Sequence, residues 1–238
     1  MNRLSMVKKL EYSNLSVFTP SQISALFKIN IESARGSLSR MAEEGTLVRV
    51  KRGHYCLPSS PVFSVASNLY PPSYISLWSA FEYYGTTTQS PRVVDVINSQ
   101  KSGQFELSLE VGKFLLRFVK TRESFLYGID KIYIDGNTTF IADREKAIID
   151  GLIFTDYVPF GEVVEAIKDG IDVEKAMMYA ERSGKQVVMK RLGYLLSQEG
   201  FDVDPICLSD TYVPLDPSFP RRGSYHTGWR VIDNRRSI

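Results

Sequence analysis

A short stretch near the N-terminus contains, in order, the start signals of two helices and their end signals. Thr19 followed by Pro20 is typical of a helix start, because the hydroxyl caps free amide groups and proline tolerates the first helical position. We expect this helix to end near Lys28. Asn30 then predicts the start of a second, longer helix, which Gly45 ends. Only a short turn separates the two helices.

Each of these helices has one apolar face. In the first helix the face consists of Ile23, Leu26 and Phe27. In the second helix it consists of Ile31, Ala34, Leu38 and Met41. The spacings of three, four and three residues in the second helix predict one buried stripe that faces the core.

The opposite face of the second helix carries small polar side chains and arginines. It holds Glu32, Ser33, Gly36, Ser39 and Arg40, with Arg35 and Ser37 on its flanks. Such a mixture is typical of a helix that lies in the major groove of DNA. Small residues let the helix axis approach, and arginine can bond guanine O6 and N7 with two parallel donors.

Residues 47–57 predict a β-hairpin. Apolar and basic side chains alternate along the first strand, the chain reverses at Arg52 and Gly53, and a second strand follows. We expect the basic side chains to lie against phosphate groups or a neighbouring minor groove. Two helices and a basic hairpin in this order predict a winged helix-turn-helix that contacts duplex DNA. The predicted DNA-binding residues are Ser33, Arg35, Ser37, Arg40, Arg49, Lys51 and Arg52.

The distribution of charge favours DNA binding over two alternatives, a small helical cap and a winged helix used only for protein contacts. Residues 1–57 hold 9 Lys and Arg against 4 Asp and Glu, a net charge of +5, whereas the whole chain carries +2. Residues 62–216 carry a net charge of −7, and residues 217–238 carry +4. The sequence leaves open whether the arginines of this tail contact phosphate, pair with the acidic part or are solvated. They are Arg221, Arg222, Arg230, Arg235 and Arg236.

The remaining sequence has the pattern of strands first and helices afterwards. Predicted strands lie at 93–97, 105–109, 113–120, 131–134 and 138–141, with a tight turn at 135–137 before the last one. Predicted helices lie at 77–84, where Ser76 can cap the start, and directly after Asp143. Three more helices are predicted at 161–168, 172–182 and 185–199, and a further strand at 229–232. Strands followed by helices predict an α+β fold.

The length of 238 residues and a change of texture near residue 60 predict two domains. The first is a winged helix-turn-helix DNA-binding domain at residues 1–60. The second is an α+β domain at residues 61–238, with strands first, then helices, and a basic tail from about residue 217. Residues 58–61, which are proline and serine, are expected to link them.

Other functional classes lack their sequence signals. No run of 18 apolar residues and no signal-peptide core occur, so we expect a cytoplasmic protein without a membrane partner. Cys56 and Cys207 lack the spacing of metal ligands, and we expect unpaired thiols, no metal and no cofactor. The phosphate-binding loop and the serine nucleophile motif are absent. We therefore expect a protein that is not an enzyme and has no catalytic residues.

Several short segments form a pattern that extends through most of the chain. Near the N-terminus its members are Leu38, Met41, Gly45, Leu47, Arg49, Gly53 and Tyr55. Further segments are residues 74–85, 141–150, 191–196 and 213–217. Together they resemble the AbiEi-type antitoxins of type IV toxin-antitoxin systems, and residues 74–85 and 141–150 resemble the two signature stretches of that family's C-terminal domain. Arg144 stands where the family pattern has proline, a difference that the start of a helix tolerates.

This resemblance implies an N-terminal winged helix that represses its own operon and a C-terminal domain that counters a nucleotidyltransferase-like toxin. The implied partners are double-stranded DNA from its own promoter region and such a toxin, whether it is bound directly or opposed only functionally. An orphan regulator whose C-terminal domain senses a ligand or has an enzymatic activity is the alternative. An interaction protein whose winged helix grips another protein is a third reading. The oligomeric state stays open.

Overall fold

The computed structural model describes residues 3–87, 92–205 and 209–235. The chain divides into two compact units, of which the first consists of Met1–Ile75 and Arg92–Ile141 and the second of Ser76–Pro91 and Ala142–Ile238. That residues 1–60 form a domain of their own stays a prediction. Within the described ranges, no helix combines the length and the apolar character that a membrane span needs.

The first unit opens with helices and a two-stranded antiparallel hairpin. Its elements are α1 (Arg3–Glu11), α2 (Pro20–Phe27), α3 (Ile31–Glu43), β1 (Val48–Lys51) and β2 (His54–Cys56). Both predicted helices and the predicted hairpin are confirmed, including the helix end at Lys28. Helix α1 was not predicted from the sequence, and its only deeply buried side chains among those described are Met6 and Leu10. Two apolar residues four positions apart are too few to reveal an amphipathic helix.

Local hydrogen bonds fix the ends of α2 and α3. Thr19 Oγ1 accepts from the backbone NH of Gln22 at 3.4 Å, and Gln22 Oε1 accepts from the backbone NH of Thr19 at 2.9 Å. This reciprocal pair satisfies two amide groups at the start of α2. Asn30 Oδ1 accepts from the backbone NH of Glu32 at 2.7 Å and does the same for α3. Gly45 follows α3 with a φ of +74°, a conformation that glycine adopts without strain.

The helices and the hairpin share one apolar core. Its buried members are Met6, Leu10, Phe18, Ile23, Ala34, Leu38, Met41, Leu47 and Tyr55. Phe18 binds the hairpin through two backbone hydrogen bonds with Tyr55, of 2.7 and 3.0 Å. The predicted stripe on α3 is confirmed except at Ile31, which is 38% exposed. At about 100° per residue Ile31 lies on the edge of the stripe, and as the first residue of the helix it extends beyond the core.

Short elements follow the hairpin. They are α4 (Val62–Ser67) and β3 (Ser73–Ile75), which the sequence analysis did not predict. The proline- and serine-rich residues 58–61 come directly before α4, and Ser60 among them is buried. A helix of six residues and a strand of three are too short to show a periodic pattern.

The first unit also contains a mixed sheet of six strands. Besides β3 these are β4 (Val93–Asn98), β5 (Gly103–Leu109), β6 (Gly112–Lys120), β7 (Ile129–Ile134) and β8 (Asn137–Ala142). Their order is β5-β6-β4-β3-β8-β7, and the pairs β4 with β6 and β3 with β8 are parallel. Each of the five predicted strands is confirmed, with ends that differ by at most two residues. The chain is therefore α+β, with N-terminal helices followed by a sheet-rich region.

The described part of the second unit is mainly helical. Its helices are α5 (Leu77–Tyr84), α6 (Arg144–Ile153), α7 (Phe160–Lys168), α8 (Val173–Arg182) and α9 (Gln186–Gln198). Its three-stranded sheet consists of β9 (Val213–Pro214), β10 (Ser224–His226) and β11 (Val231–Asp233), in the order β10-β11-β9. The predicted helices are confirmed, and β11 lies within two residues of the predicted last strand.

Buried polar side chains surround the start of α6. Asp143 caps the helix as expected, because its Oδ1 accepts from the backbone NH of Lys146 at 2.8 Å. Lys146 and Asp150 are fully buried and form an ion pair with each other. The hydroxyl of Ser76 donates to Asp150 Oδ2 at 2.7 Å. Ser76 is the N-cap residue of α5, as expected, but its side chain makes no capping hydrogen bond because its hydroxyl is bonded to a carboxylate of another helix.

Candidate nucleic-acid interface

A concavity with a volume of about 570 Å³ lies between the N-terminal part of α3 and the hairpin. It is lined by Pro20, Ser21, Ile31, Arg35, Ser39, Arg49, Arg52, Gly53 and Tyr55. We refer to it as the α3–hairpin surface. Three of the nine residues are arginines and none is acidic, so the surface suits a polyanion.

Arg49 connects the two walls of this surface. Its Nη2 donates to Ser39 Oγ of α3 at 2.9 Å and to the hydroxyl of Tyr55 in β2 at 3.2 Å. The guanidinium carbon lies 5.5 Å from the centre of the Tyr55 ring, within the range of a cation–π contact. Arginine carries five N–H donors, and these contacts use one terminal nitrogen. The side chain is thus held in place while it keeps donors for an anion.

Arg35 lies on the α3 wall in an exposed ion pair. Its Nη1 is 2.7 Å from Glu32 Oε1, one turn earlier on the helix, and the two side chains are 60% and 70% exposed. Exposed pairs of this kind contribute about 0–1 kcal/mol, so Arg35 can exchange Glu32 for another acceptor at little cost.

The tip of the hairpin carries Arg52 and Gly53. Gly53 has a φ of +73°, which glycine adopts without strain and which lets the chain reverse there. Arg52 is exposed, and its carbonyl oxygen lies 3.2 Å from His54 Nδ1. Burial lowers the pKa of His54, so its imidazole is mainly neutral at pH 7 and the positive charge of the tip comes from Arg52.

Comparison with known families identifies this part of the chain. Residues 6–58 match the family described as "Transcriptional regulator, AbiEi antitoxin". This segment is similar to the AbiEi antitoxins. The match, which we refer to as the AbiEi segment, begins within α1, ends just after β2 and so contains both walls of the α3–hairpin surface. It covers less than a quarter of the chain, and the similarity search against curated proteins found no match.

The family resemblance is thus confirmed for the AbiEi segment. The four later segments that also resemble the family lie outside the matched residues. These are residues 74–85, 141–150, 191–196 and 213–217. Their assignment to the family stays a prediction.

The AbiEi segment brings three of the predicted DNA-binding residues to one surface. Arg35, Arg49 and Arg52 all line the α3–hairpin surface. Ser33 and Arg40 are exposed and Ser37 is half-buried on α3, but none of these three lines that surface. Arg40 Nε donates to the carbonyl oxygen of Gly36 at 3.3 Å, which holds the side chain along its own helix. Their roles in DNA binding stay predictions.

Lys51, the remaining predicted residue, has partners outside the AbiEi segment. Its Nζ donates to the carbonyl oxygen of Leu69 at 3.1 Å and lies 3.5 Å from the centre of the Tyr70 ring. Burial lowers the pKa of Lys51, and the positive charge of Lys101 lowers it further. Lys51 therefore attaches the hairpin to the segment that follows α4, and its role in DNA binding stays a prediction.

Six of the nine lining residues were not predicted as site residues, and Ile31, Ser39 and Tyr55 are three of these six. Ile31 was assigned to the core, Ser39 was placed on the polar face without a role, and Tyr55 was used only for the family pattern. The sequence spacing could have indicated Ile31 and Ser39, because Ile31, Arg35 and Ser39 follow one another at intervals of four residues and so form one row along a helix. The phenol of Tyr55 reaches the surface although the residue is only 4% exposed.

The basic tail outside the AbiEi segment is partly paired within the second unit. Arg230 Nη2 lies 3.3 Å from Asp210 Oδ1, and Arg235 Nη2 lies 2.6 Å from Asp233 Oδ2. Arg221 donates to the carbonyl oxygen of Tyr212 at 2.5 Å. Of the alternatives that the sequence left open, pairing with the acidic part is thus found for Arg230, whereas Arg235 pairs with Asp233 of the tail itself and Arg236 lies outside the described residues.

The thiols were expected to be unpaired and without metal. Cys56 is a free cysteine in β2, and burial raises its pKa to about 12, which keeps the thiol protonated at neutral pH. Cys207 lies outside the described residues. In the described ranges, no group of three or more His, Cys, Asp and Glu side chains has the arrangement of a metal site.

Proposed function

We propose that the chain is a DNA-binding transcriptional regulator whose AbiEi segment is a winged helix-turn-helix. The observation that carries the proposal is the α3–hairpin surface. It gathers Arg35, Arg49 and Arg52 within the segment that matches a family of transcriptional regulators. In this proposal α2 and α3 are the helix-turn-helix, α3 enters the major groove and the β1–β2 hairpin is the wing.

The residues of α3 suit an approach to base edges. Gly36 has no atom within 4 Å of where its Cβ would lie, and Ser33 is small and exposed, so this part of α3 presents little bulk. Arg35 is exposed, and its partner among the described residues is the exposed carboxylate of Glu32. We assign to Arg35 the reading of a guanine through two parallel hydrogen bonds.

The hairpin suits contacts with phosphate. Arg49 is held by Ser39 and Tyr55 with donors to spare, and Arg52 stands at the exposed tip. We assign the phosphate contacts to these two arginines. Lys51 has the different task of fixing the hairpin, because its ammonium is bonded to Leu69 and covered by Tyr70.

The salt dependence of binding tests these assignments. We expect the double variant Arg49→Ala, Arg52→Ala to bind all duplexes more weakly. The slope of log K against log salt should also become shallower, by roughly 0.9 for each phosphate group that the variant no longer binds. The measurement is fluorescence anisotropy with the DNA that lies upstream of its own reading frame and with a scrambled duplex. The matched control is Lys113→Ala, Arg122→Ala, which removes the same charge from exposed positions outside the AbiEi segment. Equal slopes for the two double variants would reject the assignment.

The biological role that we propose is that of an autorepressing antitoxin of a type IV system, which counters a nucleotidyltransferase-like toxin. Support comes from the family described for the AbiEi segment and from the resemblance of residues 74–85 and 141–150 to the signature stretches of the C-terminal domain. In this role the chain performs no catalysis. Co-expression tests it: the chain should restore growth to cells that express a toxin encoded next to it, and continued growth arrest would contradict the role.

A further inference from the structure

Ile31 is an apolar side chain in a surface that is otherwise suited to an anion. It is the first residue of α3, is 38% exposed and lies outside the apolar core that Ala34 and Leu38 enter. It lines the α3–hairpin surface together with Arg35 and Ser39. An isoleucine that the core does not bury has apolar area available for a ligand.

The position of Ile31 defines what it would meet in DNA. Ile31, Arg35 and Ser39 follow one another at intervals of four residues, which places them in one row along the helix. Four residues of helix rise by about 6 Å. Base pairs follow each other at about 3.4 Å. Ile31 therefore reaches a base within about two base pairs of the one that Arg35 contacts.

We infer that Ile31 recognises a thymine through its 5-methyl group. This inference rests on the proposed function, since it requires α3 to lie in the major groove. The thymine methyl is the apolar group that unmodified base pairs present in that groove, and apolar side chains distinguish it there from the edge of cytosine. The neighbouring Arg35 reads a polar base edge in the same row, so the two residues together specify a short sequence.

Removal of single methyl groups from the DNA tests the inference. The probe is a duplex selected from a random-sequence library by the full-length chain, in which each thymine is replaced in turn by deoxyuridine. Burial of one methyl or methylene group contributes about 0.8 kcal/mol, so loss of the contacted methyl should weaken binding by about fourfold. For the unchanged chain we expect this loss at the thymine that each bound copy contacts through Ile31. Ile31→Ala should bind the thymine and uracil duplexes equally at that position.

Three further variants serve as controls. Ile31→Val keeps a branched apolar side chain and should keep the preference for thymine. Val111→Ala truncates an aliphatic side chain that is 74% exposed in the turn between β5 and β6, and should match the unchanged chain. Arg35→Ala should bind more weakly and still distinguish thymine from uracil at the Ile31 position.

The outcomes separate the inference from the proposed function. If the chain and its Ile31→Ala variant respond equally to every uracil substitution, the inference fails while DNA binding by α3 stands. If the chain selects no duplex from the library at low salt, the proposed function fails and the inference fails with it. Circular dichroism checks the fold of Ile31→Ala, which should be unchanged because the residue is outside the core.

Discussion

Lys175 lies between two carboxylates at the start of α6. Its Nζ is 2.9 Å from Glu145 Oε2 and 3.1 Å from Asp143 Oδ2. Burial acts to raise the pKa of Glu145, but hydrogen bonds from Lys175 and from the backbone NH of Asp172 outweigh it, so the pKa lies below its ordinary value. Burial acts to lower the pKa of Lys175, and the bonds to both carboxylates raise it above its ordinary value. Glu145 and Lys175 therefore both stay charged at neutral pH.

This cluster predicts a loss of stability in acid. A carboxylate whose pKa is lower in the folded chain stabilises the fold above its unfolded pKa, and this contribution disappears as the pH falls through the folded pKa. For Glu145 the loss therefore begins near the ordinary value of 4.5 and continues below it. Lys175→Met should reduce this part of the acid dependence, by about 1 kcal/mol or less because the lysine side chain is 34% exposed and screened by water.

Urea unfolding at a series of pH values measures this effect. The matched control is Lys168→Met, which removes a lysine whose partner Glu165, at 2.9 Å, is 61% exposed. The control should leave the acid dependence as it is. An acid dependence that is the same in Lys175→Met and in the unchanged chain would contradict the prediction.

Sequence patterns predicted the face on which a side chain lies more reliably than they predicted the residue that the side chain contacts. The alternation in β1 correctly gave an exposed Arg49 and a buried Val50. It could not give the position of Lys51, because the register of the hairpin shifts between Arg49 and Lys51 and such a bulge redirects a side chain. The partner of Lys51 also lies 18 residues further along the chain, at Leu69, and no local pattern encodes that distance.

At the scale of elements, α9 packs against the C-terminal sheet through a glycine. A Cβ on Gly193 would overlap the ring of Trp229, which is 5% exposed. We expect Gly193→Ala to lower the free energy of unfolding by about 1–3 kcal/mol, because the ring or the helix has to shift. Gly161→Ala in α7 is the matched control, since nothing lies within 4 Å of its added Cβ, and it should be neutral or stabilise the chain by about 0.5–1 kcal/mol.

Guanidinium unfolding of the two glycine variants measures the difference. If Gly193→Ala and Gly161→Ala change the free energy of unfolding by the same amount, the prediction that α9 needs a glycine at position 193 is contradicted. The sequence could not have given this requirement, because Gly193 lies within a helix whose pattern is complete without it and Trp229 lies 36 residues later.

Elements with strong local signals were predicted, and short ones were not. α2 and α3 carry caps and a periodic apolar face, and the strands β4 to β8 carry β-branched and aromatic residues. In contrast, α4 and β3 have three to six residues, and α1 contributes few buried apolar side chains. Such elements form because neighbouring parts of the chain cover them, and that stabilisation is not a local property.

At the scale of the whole molecule, the fold class was predictable and the order of the strands was not. Strands followed by helices indicated an α+β chain, as found. The three residues of β3, however, pair with β4 on one side, and Ile75 among them pairs on the other side with Ile141 of β8, about 65 residues further along the chain. Pairings between strands so far apart in sequence depend on the assembly of the whole sheet.

The candidate site, too, was predictable in its general character but not in which residues it brings together. The charge of +5 on residues 1–57 and the polar face of α3 predicted a cationic surface near the N-terminus. Which of the predicted residues share one surface required the structure, because Arg49 and Arg52 come from the hairpin and Arg35 from the helix. The same packing placed Ile31 on that surface and Lys51 on Tyr70.

We propose that the α3–hairpin surface binds a specific DNA sequence. The most direct test is the affinity of the full-length chain for the duplex upstream of its own reading frame, measured beside a scrambled duplex of the same composition. We expect the chain to bind the upstream duplex about 10³-fold or more tightly than the scrambled duplex at physiological salt. We also expect Arg35→Ala to reduce this preference. Absence of binding to either duplex at about 50 mM salt, where phosphate contacts are strongest, would contradict the account.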